Sequence, residues 1–136
     1  MGLDMYLSGE KFHWSSITEP NGAVRQEDGY PVETVSLRLG YWRKHPNLHG
    51  YIVQEFAGGV DDCREIRLNE ENIRQIIDAI KNQDLPETSG FFFGESDGSE
   101  DAESIKIFND ALAWIDLPNA DNGMRVSRTV VYRASW

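Results

Sequence analysis

A chain of 136 residues with 40% apolar side chains, and aromatics spread along its whole length, has the material for one core and one domain, which excludes both a disordered tail and a two-domain arrangement. Thirteen Lys and Arg side chains against 23 Asp and Glu leave a net charge of −10, so a phosphate backbone is repelled and direct binding of nucleic acid is excluded unless the few cations cluster. The opening MGLDMYLSGE lacks the basic flank and apolar run of a leader, no membrane-length apolar stretch follows, and the lone Cys63 cannot form an internal disulfide. A soluble protein of a reducing cytoplasm, without membrane contact, is expected.

Leu3, Met5 and Leu7 alternate with Asp4 and Tyr6, which predicts a strand that Phe12–Trp14 continues. Residues 15–31 hold Pro20, Asn21-Gly22, Asp28-Gly29 and Pro31, the signals of a long loop or a loose hairpin. Val35, Leu37 and Leu39 mark one face of a second strand that runs into Gly40-Tyr41-Trp42. Pro46 suits a first helical turn, and Leu48, Ile52 and Phe56 recur at four-residue spacing before Gly58-Gly59, which predicts a helix over 46–57.

Residues 64–68 read as a short strand, and Asn69 as the N-cap of a helix whose buried stripe is Ile73, Ile76, Ile77 and Ile80. Gly90–Gly94, GFFFG, reads as a compact aromatic strand closed by a turn at 96–99. A third helix over 101–115 presents Ile105, Phe108, Leu112 and Ile115, and Met124–Ala134 alternates as a C-terminal strand whose end, Ser135-Trp136, is expected to be docked. The order implies an α+β fold, a single domain with a mixed, mostly antiparallel sheet of about five strands and three helices.

The densest collection of reactive side chains runs from Gly40 to Cys63. His45 and His49 are four residues apart, but Pro46 disfavours a helical His45 and the pair lacks the central Glu of the zinc-protease pattern, so no metal and no cofactor are expected. The favoured reading makes His45 an exposed cap and His49 a core-bordering residue bonded to a backbone group or a carboxylate. Asp61 and Asp62 are adjacent, so only one reaches a given pocket, and pairing with Arg43 or Arg64 is the expected role. The same carboxylates disfavour a thiolate, which makes Cys63 a small buried side chain rather than a nucleophile.

Two surfaces remain as candidates for binding. Tyr41, Trp42, Arg43 and Lys44 form a cationic spot beside rings able to stack on a planar ligand, which suits a phosphorylated small molecule. Between Glu95 and Asp121 carboxylates outnumber the lone Lys106, with Glu95, Asp97, Glu100, Asp101 and Glu103 crowded at the start, and such a run is either a solvated face or an imitation of nucleic acid.

MGLDMYL, then GYWRK with His49 five residues on, then VDDC, GFFFG and its acidic turn, and a Tyr-x-x-Ser-Trp ending together resemble a family of small bacteriophage and prophage proteins. Family members carry neither a histidine at the position of His45 nor a proline at that of Pro46, so only His49 falls on the pattern. The resemblance implies a setting in a bacterial host, where accessory proteins of this size are frequently inhibitors or decoys. Together with the net charge of −10 and the clustered carboxylates it leads to the expectation of a non-enzymatic protein that inhibits a host defence effector, such as a nucleic-acid-binding CRISPR complex, through its acidic surface. Alternatives from other classes are sequestration of a nucleotide signal at residues 41–44, a small enzyme with a His49/Asp62 centre, and a virion structural or assembly protein.

Overall fold

The computed structural model of the chain describes residues 2–22, 25–88, 98–121 and 124–136. In chain order the elements are β1 (Asp4–His13), α1 (Ser15–Thr18), β2 (Gln26–Glu27), β3 (Tyr30–Pro31), β4 (Thr34–Arg43), α2 (Pro46–Phe56), β5 (Ile66–Leu68), α3 (Glu70–Lys81), α4 (Asp101–Ile115), β6 (Ala120–Asp121) and β7 (Met124–Ser135). The fold is α+β. Four strands pair in the order β4-β1-β7-β5, β6 pairs with β7, and every described pairing is antiparallel. The expected GFFFG strand lies outside the described residues.

One face of this sheet forms the core. Leu3, Met5 and Leu7 point inward with Val130, Tyr132 and Ala134 of β7 and Ile66 and Leu68 of β5, and all are fully or nearly buried. The three long helices cover that face with Leu48 and Ile52 from α2, Ile73, Ile76, Ile77 and Ile80 from α3, and Phe108 and Ala111 from α4. Pro46 opens α2 where its missing N–H costs nothing. Asn69 and Asn72 close a reciprocal capping box on α3, with Glu70 and Glu71 in the first turn where the helix dipole favours acids.

The expected long loop or loose hairpin over 15–31 contains a short hairpin, and a helical turn that its turn residues do not suggest. Ser15–Thr18 makes a single helical turn, and β2 and β3 form a two-residue hairpin. Asp28 and Gly29 at its tip have φ of 51° and 82°, the doubly left-handed pair that a type I′ turn requires.

The pairing of β1 with β4 contains a bulge. Leu7 faces Gly40 but Ser8 faces Arg38, so Leu39 is an extra residue that reverses the inward parity of β4. Val35 and Leu37 lie on the helix side before the bulge, and Gly40 and Trp42 after it. Trp42 is therefore 3% exposed, stacked on Phe108 with ring centroids 5.3 Å apart, and its indole N–H donates to Ser104 Oγ at 2.8 Å.

Two glycines seat α4 on the sheet. A Cβ at Gly9 would lie 2.9–3.1 Å from the Trp114 ring, and one at Gly40 would lie 2.5 Å from Ile107 Cγ2. Gly40→Ala is expected to destabilise the fold by about 1–3 kcal/mol, as overpacking does. Urea titration checks this, and Ile107→Ala in the same chain should recover part of the loss by making room.

Candidate functional site

With the three long helices on one side, the other face of the sheet is lined, among the described residues, mainly by strand and loop side chains. It is organised in cross-strand rows set by register. Asp4 sits between Arg43 and Ser135, Tyr6 between Tyr41 and Arg133, Ser8 between Arg38 and Val131, Glu10 between Ser36 and Thr129, and Phe12 between Thr34 and Ser127. Arg67 of β5 pairs with Val131 and extends the third row. Paired residues project to the same side, so one face collects Arg38, Arg43, Arg67 and Arg133 around two tyrosines. Among the described residues, Asp4, Glu10 and Glu65 share it.

Part of this face forms an open groove of about 580 Å³, lined among others by Tyr6, Ser8, Arg38, Cys63, Glu65 and Arg133. The Arg38 guanidinium lies 4.9 Å from the centre of the Tyr6 ring, and the Tyr6 and Tyr41 rings are 5.4 Å apart and tilted by 49°. The Tyr41 hydroxyl donates to Asp4 Oδ1 at 2.5 Å, which with burial and the Asp4 charge raises its pKa above the usual phenol value. Asp4 also meets Arg43 at 3.7 Å, so this acid is largely occupied by its own neighbours.

The aromatic character continues at the far end of the face. Trp14 packs edge-on against Phe12 at 5.0 Å, its indole N–H donates to Ser127 Oγ at 2.8 Å, and the Arg125 guanidinium lies 5.2 Å from its ring centre. Phe12 and Ser127 are register partners on the open face, so Trp14 stands on that face too, 38% exposed.

The four residues 41–44 do not form one surface. Tyr41 and Arg43 face outward, whereas Trp42 is turned into the core by the Leu39 bulge and is not available to stack on a ligand. Lys44 is exposed, has a φ of 55°, and donates its backbone N–H to Leu3 O at 2.7 Å, ending β4 beside the start of the sheet. Tyr41 and Arg43 do meet part of the expected acidic surface: with Trp42, Ile107, Glu100 and Glu103 they line a cleft of about 240 Å³.

The acidic run is dispersed. Glu95 and Asp97 lie outside the described residues. Glu100 and Glu103 are exposed and Asp101 is partly buried at the start of α4. Asp110 is held by Lys106 at 2.7 Å, and Asp116 sits against Glu70, whose carboxyl it pushes above the usual range.

Of the chemistry-bearing residues of 45–63, His49 is core-bordering and bonded to a carboxylate and Asp62 pairs with Arg64, as expected, whereas His45 and Cys63 depart from expectation. His45 is the N-cap residue of α2 as expected but is 4% exposed rather than open to solvent, and Cys63 is exposed rather than buried, placed at the groove by a left-handed φ of 61°. His49 is 2% exposed, and its partner is Asp61, not Asp62: Nε2 lies 2.9 Å from Asp61 Oδ1, while Nδ1 lies 2.6 Å from the Tyr132 hydroxyl. Asp62 instead takes two bonds of 2.7 Å from Arg64, and the guanidinium holds its carboxyl below the usual range. The Trp136 ring closes over His49 edge-on at 5.6 Å, so the chain end is docked.

The Asp61–His49–Tyr132 chain has residue types that can relay a proton, but Tyr132 is 1% exposed and sits on the core side of β7. Burial, with the Asp61 charge second, raises its pKa well above 10.0. A neutral phenol donating to Nδ1, with Nε2–H donating to the Asp61 carboxylate, gives both ring nitrogens and the Tyr132 hydroxyl a partner. Such an arrangement locks three segments together and offers a substrate no approach to its inner end. Among the described residues no three His, Cys, Asp or Glu side chains gather as a metal-holding group, and no helix is long and apolar enough to cross a membrane.

No family model, curated protein or solved structure matches the chain. The open sheet face was not anticipated as a site, although its signal was present. Tyr6 and Arg133 each occupy the polar position of an alternating strand, where an aromatic or a cation has no core to serve.

Proposed function

We propose that this is a non-enzymatic binding protein that captures a phosphorylated ligand carrying a planar ring, chemically a nucleotide, on the open face of its sheet. The observation that carries this reading is the gathering of Arg38, Arg43, Arg67 and Arg133 around Tyr6 and Tyr41 on a chain of net charge −10. Clustering is the condition under which an acidic protein can still attract phosphate, because the field close to a surface follows local charge more than the total. Guanidinium forks suit phosphate oxygens, and tyrosine faces suit a purine or pyrimidine ring. The resemblance to phage accessory proteins supports sequestration of a host nucleotide as the biological setting.

A second reading, inhibition of a host defence effector through an acidic surface, is supported by the exposed Glu100 and Glu103 beside Arg43. Titration separates the two. A fluorophore on Cys63, the chain's single cysteine and a lining residue of the groove, is expected to respond to mono- and dinucleotides, and Glu100→Lys/Glu103→Lys should leave that response in place. No response to any nucleotide, with charge reversal abolishing capture of a host protein instead, would favour the second reading.

A further inference from the structure

We infer that the ligand of the open face is a single-stranded nucleic acid laid along the strands rather than one free nucleotide. The inference rests on the binding surface proposed above and concerns its length. The face has two aromatic stations with arginines at each. Tyr6 and Tyr41 stand with Arg38, Arg43 and Arg133 at one end, and Phe12 and Trp14 stand with Arg125 at the other. Tyr6 and Phe12 are six residues apart on one strand, about 20 Å by the rise of antiparallel backbone. That distance exceeds one nucleotide and fits a strand of about four, the lower end of the range for single-strand platforms.

Successive rows on the same face are about 6.8 Å apart, so Arg43, Arg133 and Arg38 step along the strand direction as the phosphates of an extended chain do. Ser8, Ser36 and Thr129 supply hydroxyls between the stations. An open sheet offers rings to unstacked bases only, so a duplex, whose bases are already stacked on one another, gains little from it. Glu10 faces the middle of the path, where it disfavours a phosphate and favours a base amino group.

The test is fluorescence anisotropy with 5′-labelled oligothymidylates of one, two, four, six and eight nucleotides, and with a duplex of the longest. Affinity is expected to rise at least tenfold from one nucleotide to four and then level, with the duplex at least tenfold weaker than the single strand. With four arginines on phosphates, log affinity for the hexamer should fall against log salt with a slope of about −2.8. Trp14→Ala, at an exposed position, should weaken the hexamer about fivefold or more, and a hexamer affinity unchanged by it would overturn the second station.

Equal affinity for mononucleotide and hexamer would overturn the inference while leaving nucleotide capture intact. Equal affinity for duplex and single strand would overturn it as well. Absence of binding by any length, with the unmodified protein folded, would overturn both.

Discussion

Tyr6→Ala is expected to weaken nucleotide or oligonucleotide binding by about 5- to 150-fold, and Tyr6→Phe to leave it nearly unchanged. A base stacked on an aromatic ring contributes about 1–3 kcal/mol, and every 1.4 kcal/mol is tenfold in affinity. Tyr6 occupies the central strand of its row, between Arg133 on β7 and Tyr41 on β4, with the Arg38 guanidinium over its ring. Its removal takes away the platform and releases the arginine that the ring orients. The ring lies opposite the helices, so the stability change should stay within about 1 kcal/mol, the size of a cross-strand pair. Calorimetric titration of both variants, with thermal melts of each, checks the separation between lost binding and lost fold.

His49→Ala is expected to be the most damaging substitution outside the apolar core, lowering stability by about 3–5 kcal/mol. The ring is 2% exposed, so deletion leaves a cavity of aromatic size, and it strands the buried Tyr132 hydroxyl. Tyr132→Phe is the milder probe. It leaves one imidazole nitrogen without its donor, at about 1–3 kcal/mol.

The same pair carries a pH signature. Tyr132 has a folded pKa raised well above 10.0, so the fold binds its proton more tightly than the unfolded chain does. The resulting stability is fully present below pH 10.0 and is lost as pH rises from there towards the folded value. Denaturant melts between pH 8 and 11 should show a steeper alkaline decline in the parent chain than in Tyr132→Phe.

Much of the fold was legible because it depends on local pattern. The alternation of Leu3, Met5 and Leu7, the Pro46 start, the Asn69 cap and the C-terminal strand each follow from a short window in which one periodicity or one capping residue decides. The candidate site was legible only in pieces. Tyr41 and Arg43 stood out as an aromatic beside a cation, yet Trp42 joined them on paper because nothing within β4 announces the bulge at Leu39. That extra residue exists only relative to β1, whose Leu7 takes Gly40 as partner while Ser8 takes Arg38.

The alignment of Tyr6, Tyr41 and Arg133 likewise joins positions near both ends of the chain, and register over such distances is set by packing of the whole sheet. The choice of Asp61 over Asp62 as the partner of His49 has the same origin. Adjacent carboxylates point apart, and the turn that follows α2, through Gly58 and Gly59 at positive φ, decides which of them faces the buried ring. Cys63 is exposed because its own left-handed conformation places it on that turn, a feature that neither its apolar character nor its acidic neighbours encode.

The most direct test of the account is amide chemical-shift mapping of the ¹⁵N-labelled protein titrated with a short single-stranded oligonucleotide. The shifts are predicted to gather on the open face, at Tyr6, Ser8, Arg38, Tyr41, Val131 and Arg133, and to extend to Phe12 and Trp14 as the oligonucleotide lengthens. Shifts confined to the start of α4 around Glu100 and Glu103, or an unchanged spectrum at saturating oligonucleotide, would contradict it.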